Sequence, residues 1–227
     1  VQHLEGGVIE RILVRDGQIV QQGEPLVILD DTRARASVQS QKILMVNLRA
    51  QLERLRTERQ LYRARTTEGA LTFSDELVAM AEGDPGKEEI LEIERNRFES
   101  RLASIEANLE LLQQSRRSAE VEIAGLQSEL VSVRAQLDLL IEDGELFADM
   151  RERGLEVRRT VSENLLNRAQ TEQMLAERKT RIESLREQIV STRLQIDELW
   201  TSSLDETTAE IAAISQELIT AESTFDA

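Results

Sequence analysis

Side chains capable of chemistry are few in this chain, and most stand apart from one another. Histidine occurs once, as His3, and cysteine not at all. No imidazole cluster can bind zinc, no Ser-His-Asp relay can be assembled, and no thiolate can act as nucleophile or metal ligand. Carboxylates occur in pairs at Asp30-Asp31 and Glu88-Glu89. At those places they read as solvated helix-start residues, set against the free N–H groups of a first turn. No P-loop and no G-x-G-x-x-G is present. The combination that remains suits recognition: Arg151, Leu155 and Ser162, spaced R-x3-L-x6-S. Arg151 and Leu155 are four apart and share one helical face. Ser162 is expected to open the next helix, its hydroxyl capping free N–H groups, while Thr160 with Glu163 offers a competing capping box. In an arginine-rich helix such a triple could arise by chance. Its position favours function, because it falls where the lengths of two helical arms independently place a turn.

Those arms are legible from their apolar rhythm. From Leu91 to Phe147 the 3-4 alternation runs through Phe98, Leu102, Ile105, Leu109, Leu112, Ala119, Ile123, Leu126, Leu130, Val133, Leu137 and Leu140, broken at Arg95, Arg116 and Gly144. This is the left-handed coiled-coil pattern. The seam expected on the returning arm is looser: Val161, Leu165, Leu175, Ile182, Leu185, Ile189, Ile196, Trp200, Leu204, Ile211, Ile214, Leu218 and Phe225. Its 4-4 step at Ile196-Trp200-Leu204 reads as a stutter that locally unwinds a supercoil, with Trp200 filling the wider gap. An earlier helix carries Val38, Met45, Leu48, Leu52, Leu55 and Tyr62, with Gln41 and Arg59 as polar gaps. The expected organisation is residues 1–30 as β-structure, 31–65 as a first helix and 66–87 as a linker with a short helical turn capped by Ser74. An ascending helix over 88–155, a tip at 156–161 and a descending helix over 162–227 complete it. Two arms of ~65–70 residues rise ~100 Å each at 1.5 Å per residue. The first helix must therefore be retraced by the linker, giving three helices side by side at one end of the hairpin and two at the other.

Gly7 to Leu29 reads GVIERILVRDGQIVQQGEPLVIL. Val8, Ile12 and Val14 alternate with polar residues, as do Leu26 and Ile28, so short half-buried strands are expected around turns at Asp16-Gly17 and Gly23-Glu24-Pro25. The run Val14, Gly17, Val20, Gly23 and Leu26, led by Gly7, resembles the first half of a biotinyl/lipoyl domain, in which Gly7, Gly17 and Gly23 would serve the turns. Where a carrier domain of that kind places Met-Lys, this chain has Thr32-Arg33. Arginine cannot be acylated to a lipoyl or biotinyl arm, which argues against a swinging-arm carrier and implies no cofactor. The chain leaves instead through Asp30-Asp31-Thr32 into helix.

A split lipoyl domain interrupted by a long helical hairpin resembles the periplasmic adaptor, or membrane fusion protein, family of Gram-negative exporters. The opening Val1-Gln2-His3-Leu4-Glu5-Gly6-Gly7-Val8-Ile9 is similar to the HlyD-like branch that serves type I protein secretion. The resemblance implies a mainly α fold: a long antiparallel coiled-coil hairpin with an extra N-terminal helix, attached to half a lipoyl-type β-domain. It implies a non-catalytic bridge between an inner-membrane ABC exporter and a TolC-type outer-membrane channel. It also implies a periplasmic location, an inner-membrane anchor before Val1, a second lipoyl half after Ala227 and a ring-forming homo-oligomer, by resemblance a hexamer. In such adaptors Arg151, Leu155 and Ser162 match the hairpin-tip motif that docks on the channel. A drug-efflux adaptor of the same family remains an alternative, as does, in a different class, a coiled-coil scaffold or an unmodified biotinyl-type carrier.

Composition fits that picture. The 227 residues hold 3% aromatic and 31% charged side chains and two prolines, the profile of exposed helices around a seam. The net charge of −15 argues against nucleic acid or an anionic membrane surface as a partner, because both need a basic face. No run of ~18 apolar residues occurs in the sequence.

Overall fold

Two helices of 68 residues each dominate the computed structural model, which describes residues 8–155 and 158–225. In chain order the elements are β1 (Ile9–Ile12), β2 (Val27–Leu29), α1 (Thr32–Ala64), α2 (Asp75–Ala81), α3 (Pro85–Glu152) and α4 (Arg158–Phe225). The chain divides into two units, one of residues 101–203 and one of residues up to 100 together with those from 204 onward.

In the 101–203 unit α3 and α4 run antiparallel. Gln188 Nε2 donates to Ser115 Oγ at 3.4 Å, and Arg181 and Arg178 pair with Glu122 and Glu129. Asn164 Nδ2 donates to the Leu140 carbonyl. The midpoint of every one of these pairs falls between residues 151 and 154, so one register holds along the whole unit. On α3 the apolar seam residues from Leu91 to Phe147 are wholly or partly buried, while Arg95 and Arg116 are exposed. Trp200 is buried, as a seam residue should be.

The α4 seam departs from its sequence reading at two named residues. Leu165 is 59% exposed and Phe225 41%. Stepping by three and four from Val161 leads through Asn164, Thr171 and Leu175, and further on through Thr192 and Thr207, all four polar residues being buried. Apolar residues alone therefore misplace the stripe. The threonines satisfy themselves locally, Thr171 Oγ1 donating to Asn167 O at 2.8 Å and Thr192 Oγ1 to Gln188 O at 2.9 Å. This leaves their methyl groups to pack.

In the other unit α1 is buried on almost every side from Val46 to Tyr62, through Leu48, Ala50, Leu52, Arg54, Leu55 and Glu58. A helix buried all round is surrounded rather than laid on a surface. Leu52 and Leu55 pack with Ile211, Ile214 and Leu218 of α4. Arg49 bonds Glu222, so α1 and α4 are antiparallel. Arg54 reaches Glu94 and Gln39 reaches Asp84, so α1 and α3 are parallel. That parallel pairing requires the chain to come back, and it does so along α1. Ser74 bonds Glu53, Glu76 pairs with Arg49, and Asp84 accepts from Gln39. Ser74 also caps α2, accepting from Leu77 N.

The stripe read from Val38 onward starts later than expected. Val38 is exposed, because beside the first turns of α1 the described residues supply no covering helix. The strands differ likewise from the half-buried expectation. β1 and β2 pair antiparallel as Ile9↔Leu29, Arg11↔Ile28 and Ile12↔Val27, with an irregularity between Ile9 and Arg11. Yet Val8, Ile9, Ile12, Val27 and Ile28 are all exposed, and Val14 lies outside either strand. Among the described residues the two strands have no second layer to bury against.

Candidate hairpin-tip docking site

The turn between α3 and α4 is built by one glycine. Gly154 adopts φ +80°, a left-handed conformation that residues with a Cβ pay strain to enter. Around it Leu155 N donates to Met150 O at 3.2 Å and Gly154 N donates to Arg151 O at 3.1 Å. These are the paired 6→1 and 5→2 bonds of a Schellman motif. They satisfy two of the carbonyls left free at the end of α3. Leu155 is thereby held by its backbone immediately beyond the helix while its side chain stays 54% exposed.

Arg151 lies in the last turn of α3 and is exposed, with no ion pair among the described residues. Favourable interaction with the C-terminal end of the helix dipole helps keep a cation there. Its neighbours are engaged: Arg153 pairs with Asp149 at 2.8 Å and Arg159 with Glu163 at 2.9 Å. Both pairs are on the surface and contribute little to stability.

Ser162 is where the expectation needs correction. It does not open α4, which starts four residues earlier at Arg158. Its hydroxyl donates back to Arg158 O at 3.1 Å, the i−4 bond of a helix-interior serine. Thr160 is likewise inside the helix, so the capping box with Glu163 does not form at its start. The tip expected at 156–161 is therefore shifted. α3 ends at Glu152 rather than 155 because Gly154 stops it, and helix has resumed by Arg158. Glu156 and Val157 lie outside the described residues. The structure thus places Arg151 and Leu155 together at the end of α3, with Ser162 one turn into the opposite arm.

Of the three turn glycines read from the sequence, Gly17 and Gly23 have φ +84° and +90°. They sit in tight turns closed by Gln18 N to Arg15 O and Glu24 N to Gln21 O. Gly7, like His3 and the opening residues to Gly6, lies outside the described residues.

Sequence reasoning missed two features that the fold depends on. Gly154 was legible as a helix stop, a glycine just past the last periodic residue. The second is a buried ionic group: Arg54 Nε donates to Glu94 Oε2 and its Nη1 to Glu58 Oε1, each at 2.6 Å. All three residues are buried, whereas Arg97, which also pairs with Glu94, is exposed. Burial opposes charge on Arg54, but its bonds to Glu94 and Glu58 outweigh that and raise its pKa above the usual guanidinium value. The i,i+4 spacing of Arg54 and Glu58 was a visible signal, though it reads as a surface pair. Among the described residues no cluster of acidic, histidine or cysteine side chains could hold a metal ion. No described helix is long and apolar enough to cross a membrane.

Known proteins share this architecture. Residues 34–227 match the family model described as AprE, long alpha-helical hairpin. The chain is similar to the alkaline protease secretion protein AprE of Pseudomonas aeruginosa, with 50% identity over 58 residues, 26% of this chain and 13% of that protein. It is similar to the type I secretion system membrane fusion protein PrsE of Rhizobium meliloti, with 30% identity over 145 residues, 63% of this chain and 31% of that protein. Each match thus spans well under two thirds of the curated relative. Among solved structures, the soluble domain of LipC, a membrane fusion protein of a type I secretion system, superposes with a TM-score of 0.82 at 25% identity. That superposition covers 97% of this chain and 80% of the LipC chain.

Proposed function

The chain belongs to the AprE long alpha-helical hairpin family, and from that premise we propose that it is the helical arm of a periplasmic adaptor for type I protein secretion. In this reading it is a non-catalytic bridge between an inner-membrane ABC exporter and a TolC-type outer-membrane channel. The membrane anchor lies elsewhere in the adaptor. The protein-secretion role is favoured over drug efflux by the similarity to AprE, PrsE and LipC, which are proteins of alkaline protease secretion and type I secretion.

The observation that carries the reading is Leu155, an exposed leucine held by a Schellman motif beyond α3, with Arg151, exposed and without an ion pair among the described residues, one turn before it. An apolar knob beside a planar, fork-shaped cation suits a groove lined with carboxylates or carbonyls on a channel tip. Ser162, on the facing arm, adds a hydroxyl to the same end. The exposed edges of β1 and β2 and the turns at Gly17 and Gly23 support a half-lipoyl role, completed by strands from another segment. Exposed apolar residues on the outer faces of the arms, among them Leu111, Val121, Val131, Leu139, Val190 and Leu194, support side-by-side assembly of copies into a ring.

The test is Leu155→Ser in the full-length adaptor. Loss of a central apolar anchor worth ~2 kcal/mol should weaken channel binding about 30-fold and cut secretion. Helicity, thermal midpoint and exporter binding should change little, since the residue is exposed. Arg151→Ala should weaken docking, with Arg151→Lys restoring only part because an ammonium cannot form a bidentate fork. Leu130→Ser, in the seam, is the control and should lower stability first. Full secretion and unchanged channel binding with Leu155→Ser would remove the tip from the mechanism.

A further inference from the structure

Two residues near the tip make little sense for stability alone. Asn164 occupies a buried seam position on α4 where a leucine would be expected, with only 8% of its surface exposed. Gly144 sits inside α3, where glycine is a poor helix former. The structure relates them. Asn164 Nδ2 donates across the interface to the Leu140 carbonyl at 3.0 Å. A Cβ built on Gly144 would lie 3.1 Å from Asn164 Oδ1, so the missing side chain is the space into which the amide fits. The Leu140 carbonyl has a second lone pair to accept this bond while remaining in the helix ladder.

The other buried seam hydroxyls with a described donor bond, Thr171 and Thr192, spend it on their own helix and carry no information about the facing arm. Asn164 differs because its partner is a particular residue of α3. A buried amide opposite the wrong position would lose its partner, which is how one polar seam residue selects a register among staggers that apolar knobs accept almost equally.

We propose that Asn164 and Gly144 form a register lock, which fixes the axial stagger of the two arms about two turns from the tip. The turn at Gly154 puts Arg151, Leu155 and Ser162 at one end, and the lock sets how Ser162 on α4 stands along the axis against Arg151 and Leu155 at the end of α3. The functional part of this proposal rests on the docking role of that end, whereas the lock itself is a statement about stagger. Asn164 is a positioning residue acting through Leu155 and Arg151.

Double spin labels in the full-length adaptor separate the two. One pair, Glu142 and Glu163, flanks the lock, and a second, Ser118 and Glu187, reports the middle of the arms; all four side chains are exposed. In the natural sequence both distance distributions should be single and narrow. With Asn164→Leu the first should broaden or shift by up to one heptad's rise, ~10 Å, while the second stays narrow. The thermal midpoint should stay level or rise, because an apolar side chain replaces a buried amide. Gly144→Leu, which fills the amide's space from the other side, should broaden the same pair. Secretion should fall with both variants. A narrow, unshifted first pair in Asn164→Leu would overturn the lock, whatever happens to secretion. Broadening with secretion intact would uphold the lock and count against the docking role of the tip.

Discussion

Arg54 illustrates how much a single side chain can hold in a fold with so little core. Its guanidinium bridges Glu58 of its own helix and Glu94 of α3, and removing it would take from two buried carboxylates the cation they share, leaving Glu94 to the exposed Arg97. Arg54→Met should therefore destabilise the chain by about 3–5 kcal/mol in urea titration. Replacing all three members with apolar residues of similar size should be close to neutral in the same measurement. At this scale the sequence was readable wherever apolar residues marked the seam, as from Leu91 to Phe147. It was unreadable wherever polarity was bought back locally. Asn164, Thr171, Thr192, Glu58 and Glu94 are hidden from a hydrophobic pattern because hydrogen bonds, not side-chain type, make them compatible with burial. Leu165 was assigned to the seam for the converse reason, being apolar one residue away from the position the 3-4 step selects.

Among the elements, the helices were legible and their ends were less so. α3 begins at Pro85, whose fixed φ and missing N–H suit a first helical position, and the Asp84 side chain accepts from Gly86 N. The same carboxylate accepts from Gln39 of α1 and pairs with Lys87. Burial works to raise the Asp84 pKa, but Lys87, Gln39 and the Gly86 N–H together hold it below the ordinary value. A carboxylate lowered in the folded state stabilises above its unfolded pKa, and that contribution is lost as pH falls through the folded value. The stability difference between the natural chain and Asp84→Asn, followed by thermal midpoint, should thus be constant at neutral pH and shrink once pH drops below about 4. The tip moved from its expected place because one glycine outranked a capping serine. Gly154 ends α3 early, and Ser162, free of capping duty, turns its hydroxyl back into α4.

For the whole molecule, the low aromatic content, the 31% of charged residues and the two prolines already argued for a seam over a globular core, and α3 and α4 of the 101–203 unit meet along such a seam. The turn could be located from the sequence to within a few residues because the arm lengths agreed. The presentation of Leu155 could not, since that depends on a backbone angle at Gly154. The single register shared by the 115/188, 122/181, 129/178 and 140/164 pairs leads to a last expectation. Deleting residues 116–122 together with 182–188 removes one heptad from each arm and keeps both seams in phase. Far-ultraviolet circular dichroism and thermal melting should show a cooperative helical protein, with Asn164 still opposite Leu140. Deleting either heptad alone should instead force a seven-residue mismatch and lower the midpoint by far more. Length in such a chain is then a quantised trait. Descendants keep both seams in phase by lengthening or shortening in matched sevens, about 10 Å at a time, so that a gap of any other size has to be met by changing the winding of the helices instead.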